Sequence, residues 1–398
     1  MKLLSDNLMT TYKRLPVSFL KGQGVWLSDK NKNQYLDALS GVAVNTLGHS
    51  HPRFVKAISD QIEKLIHVSN YYHIEEQSLL AKRITQLSNL SSVFFCNSGS
   101  EANEVAIKLA RLHGHKLNID QPNIIVMEKS FHGRTMATLS ATGSRKVQAG
   151  FEPLMSGFIR VPFDDVDSVN VIAKKKNKVA AILVEPIQGE GGINISKDFE
   201  AYLSGLRKLC DENNWLLIFD EVQTGIGRTG KWFAHQYTSI KPDVMTLAKG
   251  LGSGIPIGAC VVNDQASKLM TIGKHGSTFG GNPLAMVAGI TTLKIVEEEG
   301  LLQNALKQGL VITNLIKKKF NKNNKIKSIR HMGLMIGIEL NQECNTLVDI
   351  ALKNKLLINV IGDSIIRLLP PLVINDDEAI LLANKLITTM TEFFDEKE

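Results

Sequence analysis

Three side chains stand where polar groups are costly, each at the end of an apolar run. Lys249 closes Asp243-Val-Met-Thr-Leu-Ala-Lys249, and a glycine-rich turn follows it (Gly250, Gly252, Gly254). Glu185 closes Ala181-Ile-Leu-Val184 and precedes Pro186 and the glycines 189, 191 and 192. Asp220 closes Trp215-Leu-Leu-Ile-Phe219. An amine at the mouth of an apolar strand loses its proton readily, because desolvation disfavours the ammonium form. A neutral amine is a nucleophile toward a carbonyl, which is what imine chemistry requires.

The elements that must position these groups can be read from periodicity. Phe199, Tyr202, Leu203, Leu206, Leu209 and Cys210 repeat at the spacing of one buried helix face between the Glu185 and Asp220 runs. Strand, amphipathic helix, strand is the crossover unit of a parallel sheet. The three runs are therefore expected side by side and parallel, with Glu185, Asp220 and Lys249 at the carboxyl edge where open α/β sheets bind ligands.

A second site signal lies upstream. Val93-Phe-Phe95 reads as a strand, Cys96-Asn97-Ser98-Gly99-Ser100-Glu101 as a turn, and Ala102, Val105, Ala106 and Leu109 as a helix face. Free N–H groups at a helix start favour an anion, so Ser98, Gly99 and Ser100 are a candidate phosphate cradle. The plainer reading is a capping box of Ser98 with Glu101, which needs no ligand. An amine, two carboxylates and a phosphate cradle are together the set that pyridoxal phosphate requires: imine formation, a partner for the ring nitrogen, and an anion site.

The totals fit an ordinary globular enzyme. The chain has 398 residues, 43% hydrophobic and 21% charged, which excludes disordered and fibrous classes and suits two domains. The formal charge of +7 owes much to Lys174-Lys-Lys176 with Lys178, and to Lys317-Lys-Lys319 with Lys322, Lys325 and Lys327. No aromatic interleaving accompanies these runs, so they read as solvated faces and not as a nucleic-acid surface. Four scattered cysteines without a CxxC pair suggest reduced thiols in a cytoplasmic protein. Met1-Lys-Leu-Leu-Ser-Asp6 does not read as a secretory signal, and no membrane span is expected. His49-Ser-His51 lacks a third ligand at metal spacing, so no metal site is expected.

The expected organisation is an N-terminal arm with strands over 1–50, a large domain over 51–300 and a small α+β domain over 301–398. Gly24–Leu27, Gln34–Asp37, Gly333–Leu340 and Ile365–Leu369 read as strands. The helix starting at Pro283 has Asn282 as its cap and Gly300 just past its end, and the closing helix is capped at Asn375 with Glu378 three residues on. Gly225-Ile-Gly227-Arg-Thr-Gly230 matches a dinucleotide fingerprint in letters alone. Five residues separate it from the strand and no long helix follows, so a turn beside Asp220 is expected.

Phe131-His-Gly-Arg-Thr135, Glu185-Pro186, Asp220-Glu-Val-Gln-Thr-Gly225, the Lys249 segment and Gly276-Ser-Thr-Phe-Gly-Gly-Asn-Pro283 together resemble the class III aminotransferases over nearly the whole chain. The resemblance implies an α/β fold, the fold-type I pyridoxal-phosphate-dependent transferase, with a mostly parallel central sheet flanked by helices and a smaller α+β domain. It implies that Lys249 holds the cofactor as an imine and then shuttles the substrate proton, and that Asp220 holds the ring nitrogen. Phe131 would stack on the ring and Gln223 would contact its hydroxyl. Ser98, Gly99 and Ser100 would bind the phosphate, joined by Thr278 of a second copy, which implies a homodimer with sites at the subunit interface. Arg134 and Arg367 would hold substrate carboxylates, with Ser277 nearby. Glu185 would pair with Arg367 when an amino donor reacting at its terminal amine is bound, and release it for the α-carboxylate of 2-oxoglutarate or glutamate.

Within the family the motifs are most similar to members that use N2-acetylornithine, which implies transfer of its terminal amine to 2-oxoglutarate in arginine biosynthesis. Val42 occupies a region where ornithine transaminases carry a tyrosine that reads a free α-amino group. Ser253 and Ser100 replace residues more common in the family, without expected effect on the chemistry. Alternatives on the same residues are ornithine, succinylornithine, N-succinyl-diaminopimelate or 4-aminobutyrate as donor, an aminomutase, or a noncatalytic cofactor-binding regulator. Singly, Phe131 also reads as a core aromatic, Arg134 as a surface ion-pair partner and Arg367 as a strand-edge charge.

Overall fold

The computed structural model describes residues 7–175, 178–321 and 324–395. Met1–Asp6, Lys176 and Lys322, which entered the reading of the terminus and the lysine runs, lie outside them. Strands β1 (Phe19–Gln23), β2 (Trp26–Asp29) and β3 (Gln34–Asp37) form an antiparallel meander. The chain then enters a seven-stranded sheet of β4 (Ser92–Cys96), β5 (Asn123–Met127), β6 (Phe158–Val161), β7 (Val179–Val184), β8 (Leu216–Asp220), β9 (Val244–Leu247) and β10 (Gly258–Val262). Its order is β4-β10-β9-β8-β7-β5-β6. Only β10 runs antiparallel to its neighbours, so the sheet is mostly parallel.

β7, β8 and β9 are adjacent and parallel as expected, with Val184 opposite Phe219 and Asp220 opposite Thr246. Every residue of these three strands is buried, which is why they read as continuous apolar runs without alternation. The connecting helix Phe199–Asn213 buries Tyr202, Leu203, Leu206, Leu209 and Cys210, and Asp198 caps it by accepting from Ala201 N. These side chains pack with Val184, Leu217 and Phe219 in one cluster. The Gly225–Gly230 segment forms turns leading to a short 3-10 helix, Ala234–Tyr237, and opens no long helix.

After the helix Pro283–Glu298, capped by Asn282, and the helix Leu301–Lys319 come β11 (Ile326–Met332), β12 (Met335–Leu340), β13 (Leu356–Leu357), β14 (Asn359–Ile361) and β15 (Ile365–Leu368). They form a four-stranded sheet in the order β11-β12-β15-β14, while β13 joins β3 of the N-terminal meander. The N-terminal strands and the C-terminal segment thus share one core, in which Val25, Leu36 and Leu47 pack with Ile338, Leu356 and Leu386. β11 escaped the sequence reading because Ile-Lys-Ser-Ile-Arg-His-Met is a half-exposed edge strand with weak apolar patterning. Lys174 and Lys317, Lys318 and Lys319 sit in the last turns of their helices, where cations suit the helix dipole. Among the described residues no helix is long and apolar enough to cross a membrane.

The turn between β11 and β12 sets the register that reaches the site, because β12 pairs with β15 and places Gly337 opposite Arg367. Gly333 makes that turn at φ 55°. Gly309 of the preceding helix lies so close that an added Cβ would meet Gly333 O at 2.1 Å. Gly309→Ala gains about 1 kcal/mol of helix propensity, but a backbone oxygen cannot yield as a flexible side chain would. Overpacking wins, and we expect a net loss of about 1–2 kcal/mol in urea unfolding; an unchanged or raised stability would contradict this close approach.

Candidate active site

Glu185, Asp220 and Lys249 converge on a cavity of about 330 Å³ at the carboxyl edge of β7, β8 and β9. Lys249 begins a short 3-10 turn, Lys249–Leu251, with φ 41°, a left-handed conformation that a non-glycine residue adopts only when its surroundings hold it. The N-terminal arm supplies that hold: Thr46 Oγ1 donates to Gly250 O at 3.2 Å, and Leu47 N donates to Ser253 Oγ at 3.0 Å. Ser253 therefore has a structural partner. Burial pushes the Lys249 amine below the ordinary lysine range, against the opposing pull of Glu190.

Asp220 is fixed by three donors. Asn103 Nδ2 and His132 Nδ1 each lie 2.8 Å from Oδ2, and Val222 N donates to Oδ1 at 3.0 Å. Asn103 is itself oriented, donating to His132 O and accepting from Thr246 Oγ1 of β9. The sequence reading passed over both Asn103 and His132, although His132 lies inside the Phe131–Thr135 motif. Only the fold brings the helix Gly99–Lys116 and this loop against β8.

Ser98 caps the helix Gly99–Lys116 and accepts from Glu101 N at 3.2 Å, while the Glu101 carboxylate accepts from Asn97 N and Ser98 Oγ, so only the Ser98 half of the expected capping box is made. It coexists with the cradle, since Ser98, Gly99 and Ser100 also line the cavity. The helix supplies no carbonyl for its first N–H groups; that of Glu101 goes to Ser98 Oγ, which leaves those of Gly99 and Ser100 for an anion. A Cβ at Gly99 would meet Val222 Cγ1 at 2.7 Å, so glycine is what brings this backbone against the Asp220 loop.

Phe131 lines the cavity, and Arg134, on the exposed side, lies with its Cζ 5.7 Å from the Phe131 ring centroid. Gln223 also lines it, with Oε1 buried and without a hydrogen-bond partner among the described residues; His132 Nε2 is in the same condition. Ser277 and Thr278 lie elsewhere, in a separate cavity with His67, Asn70 and His275. Ser277 Oγ accepts from Gly280 N and Asn97 Nδ2, while Thr278 is exposed.

One expectation is corrected by the geometry. Arg367 pairs with Glu190, not with Glu185: Arg367 Nη1 donates to Glu190 Oε1 at 2.5 Å. Glu185 instead accepts from Phe131 N at 2.9 Å and Gly189 N at 3.1 Å, which turns its carboxylate back into the loop. The reason is reach. Glu185 ends β7, whereas Glu190 lies past the turn that carries the chain toward β15, and Arg330 of β11 grips that turn at Gly192 O and Ile193 O. The glycines around Glu190 marked the turn in the sequence, but nothing there told which acid would face the arginine. Burial opposes the charge on Glu190, yet Arg367 outweighs it and holds the carboxyl below its usual range.

His49 pairs with Asp37 at 2.8 Å and His51 with Glu299 at 3.3 Å, so each histidine has a carboxylate partner. Ser40, Gly41, Val42 and Ala43 all have φ between 47° and 65°, a single left-handed turn pinned where Asp37 Oδ1 accepts from Leu39 N and Ser40 N. Val42 packs in a cluster with Ile187, Ile193 and Leu369, between the loop of Glu190 and the end of β15.

The chain belongs to the class III aminotransferases: the model of that family, "Aminotransferase class-III", matches residues 9–390. Acetylornithine aminotransferase of Nitrosomonas europaea is 54% identical over 98% of this chain and 99% of its own length. A structure of ornithine aminotransferase from Toxoplasma gondii, described as showing partial occupancy of PLP at its active site, superposes with a TM-score of 0.94 at 32% identity over 98% of this chain and 93% of that one. Acetylornithine aminotransferase from Elizabethkingia anophelis does so with a TM-score of 0.87 at 36% identity, covering 96% of each chain.

Burial raises the Glu185 carboxyl from 4.5 to about 7, with the neighbouring Asp220 charge adding to the rise. Its folded value lies above its unfolded one, so the native state binds the extra proton, and this group's contribution to stability falls as pH rises from about 4.5 to about 7. In Glu185→Gln that pH dependence is removed. Urea unfolding of the apoprotein should show the wild type's stability relative to the variant declining across that interval; a constant difference would contradict the shift.

Proposed function

We propose that this aminotransferase uses pyridoxal 5'-phosphate to move the terminal amino group of N2-acetyl-L-ornithine to 2-oxoglutarate, giving N-acetyl-L-glutamate 5-semialdehyde and L-glutamate. The observation that carries the reading is the buried Arg367 closed by Glu190 in the neighbourhood of Lys249. A donor reacting at a terminal amine brings no carboxylate to the reacting carbon, and Glu190 then neutralises the arginine. 2-Oxoglutarate does bring one, and it takes the place of Glu190. A guanidinium suits both, because its fork accepts either carboxylate with the same geometry.

The residues present fit the cofactor. The partnerless Gln223 Oε1 suits a hydroxyl donor, Phe131 offers an aromatic face, and the start of the helix Gly99–Lys116 suits a phosphate. When bound, the cofactor supplies an electron sink for the charge left on the substrate carbon. Lys249 Nζ, kept short of its ordinary basicity by burial, would carry the proton from the carbon bearing the transferred amine to the carbon on the far side of that nitrogen. Asp220, held by Asn103 and His132, would meet the ring nitrogen with a carboxylate that has little freedom to swing. Arg134, exposed beside the Phe131 ring, would take the distal carboxylate.

Val42, apolar and packed with Ile187 and Leu369, offers nothing to a free α-amino group, which favours an acylated donor. The 54% identity to an acetylornithine aminotransferase points the same way. A homodimer accounts for Thr278, which is exposed and lines a cavity separate from that of Lys249, near exposed apolar side chains such as Tyr71, Tyr72 and Phe279. In a second copy it would complete the phosphate site, with Ser277 beside the donor's carboxylate.

A donor panel with 2-oxoglutarate tests the reading. N2-acetylornithine is expected to exceed ornithine and 4-aminobutyrate in kcat/KM by at least about tenfold, the scale a buried unpaired polar group imposes on the wrong substrate. Lys249→Ala should lower turnover by at least about a thousandfold and abolish the imine absorbance of the loaded protein. Retained turnover in that variant, or equal use of all donors, would count against the proposal.

A further inference from the structure

Arg367 is held from two sides, and only one of its partners is a charge. Glu190 meets Nη1, while Asn359 Oδ1 accepts from Nε at 3.1 Å. Asn359 stands directly across the ladder from Arg367, β14 against β15, and Gly337 faces Arg367 from β12 on the other side. The arginine side chain is 2% exposed, whereas that of Glu190 is 34% exposed. The acid can therefore leave toward solvent, and the guanidinium cannot.

A guanidinium offers two carboxylate-binding edges: the side formed by Nε and one terminal nitrogen, and the end formed by both terminal nitrogens. Asn359 consumes Nε. We propose that Asn359 is a positioning residue that locks the plane of Arg367 and commits it to its end-on edge, so that Glu190 and the substrate dicarboxylate alternate on one fork. This rests on the exchange between Glu190 and 2-oxoglutarate described under the proposed function. An amide suits the task because it orients the cation without neutralising it. A carboxylate at the same position would be a permanent rival for the arginine, and an apolar side chain would leave a buried N–H unpaired and the plane free to turn. Lys249 and Gln223 also act on Glu190, which therefore keeps partners when the arginine is taken by a substrate carboxylate.

The test compares Asn359→Asp and Asn359→Leu with the wild-type holoenzyme. Calorimetry with glutarate, an unreactive dicarboxylate, reads the arginine site without turnover, and single-turnover absorbance reads the glutamate and N2-acetylornithine half-reactions separately. Glutarate Kd is expected to rise at least about tenfold in Asn359→Asp and about three- to tenfold in Asn359→Leu, as for loss of a buried partner to a charge. The glutamate half-reaction should weaken in parallel, with the N2-acetylornithine half-reaction held within about twofold because Glu190 then fills the fork. Unchanged glutarate affinity, an equal fall in both half-reactions, or an effect confined to Asn359→Asp would each overturn the proposal, the last because it reports added charge without loss of orientation. Should the wild type accept glutamate but not N2-acetylornithine, the donor reading fails, while the glutarate and glutamate comparisons still decide the role of Asn359.

Discussion

Charge burial at the carboxyl edge of the parallel sheet constrains the whole molecule. Glu185, Asp220 and Lys249 stand at the ends of strands without a single exposed residue. An isolated ion there would cost several kcal/mol, and it persists only where neighbours compensate it. The compensation is specific. Asp220 takes three donors, Glu185 takes two backbone N–H groups and a raised proton affinity, and Lys249 loses basicity. Each of these arrangements is also what the proposed cofactor chemistry needs, so the groups that stabilise the buried charges would be the ones that prepare the site.

A second layer of control comes from the C-terminal sheet. Arg367 enters from β15, Asn359 from β14 and Glu190 from the loop after β7, so the buried arginine is set by elements far apart in the chain. Arg330 binds that loop to β11, and buried Arg228 donates to Leu334 O and Pro370 O, tying the turn after Asp220 to the ends of the same sheet. The position of the guanidinium relative to Lys249 is thus fixed by contacts across the sheets as well as within them. The N-terminal arm closes the remaining side, with Thr46 and Leu47 on the lysine turn and the left-handed turn of Ser40–Ala43 beside the loop of Glu190.

Much of this was legible from local patterns, because the signals were local in origin. Continuous apolar runs with an amphipathic helix between them gave the parallel strands and the edge carrying Glu185, Asp220 and Lys249. Caps at Ser98, Asn282 and Asn375 gave helix starts, since a cap acts within three residues of itself. The dinucleotide-like glycines were correctly read as a turn, as spacing to the strand is also local. β11 was missed because a half-exposed edge strand carries little apolar periodicity.

The sequence by itself determined which groups could do chemistry and which strands present them, because burial periodicity and strand ends are written in consecutive residues. Tertiary structure alone decided the partnerships. Glu185 and Glu190 are five residues apart and chemically alike, yet one turns into its own loop and the other reaches Arg367, 177 positions away. Asn103, His132 and Asn359 gained their partners in the same way, through contacts whose energy depends on distances that no spacing along the chain encodes.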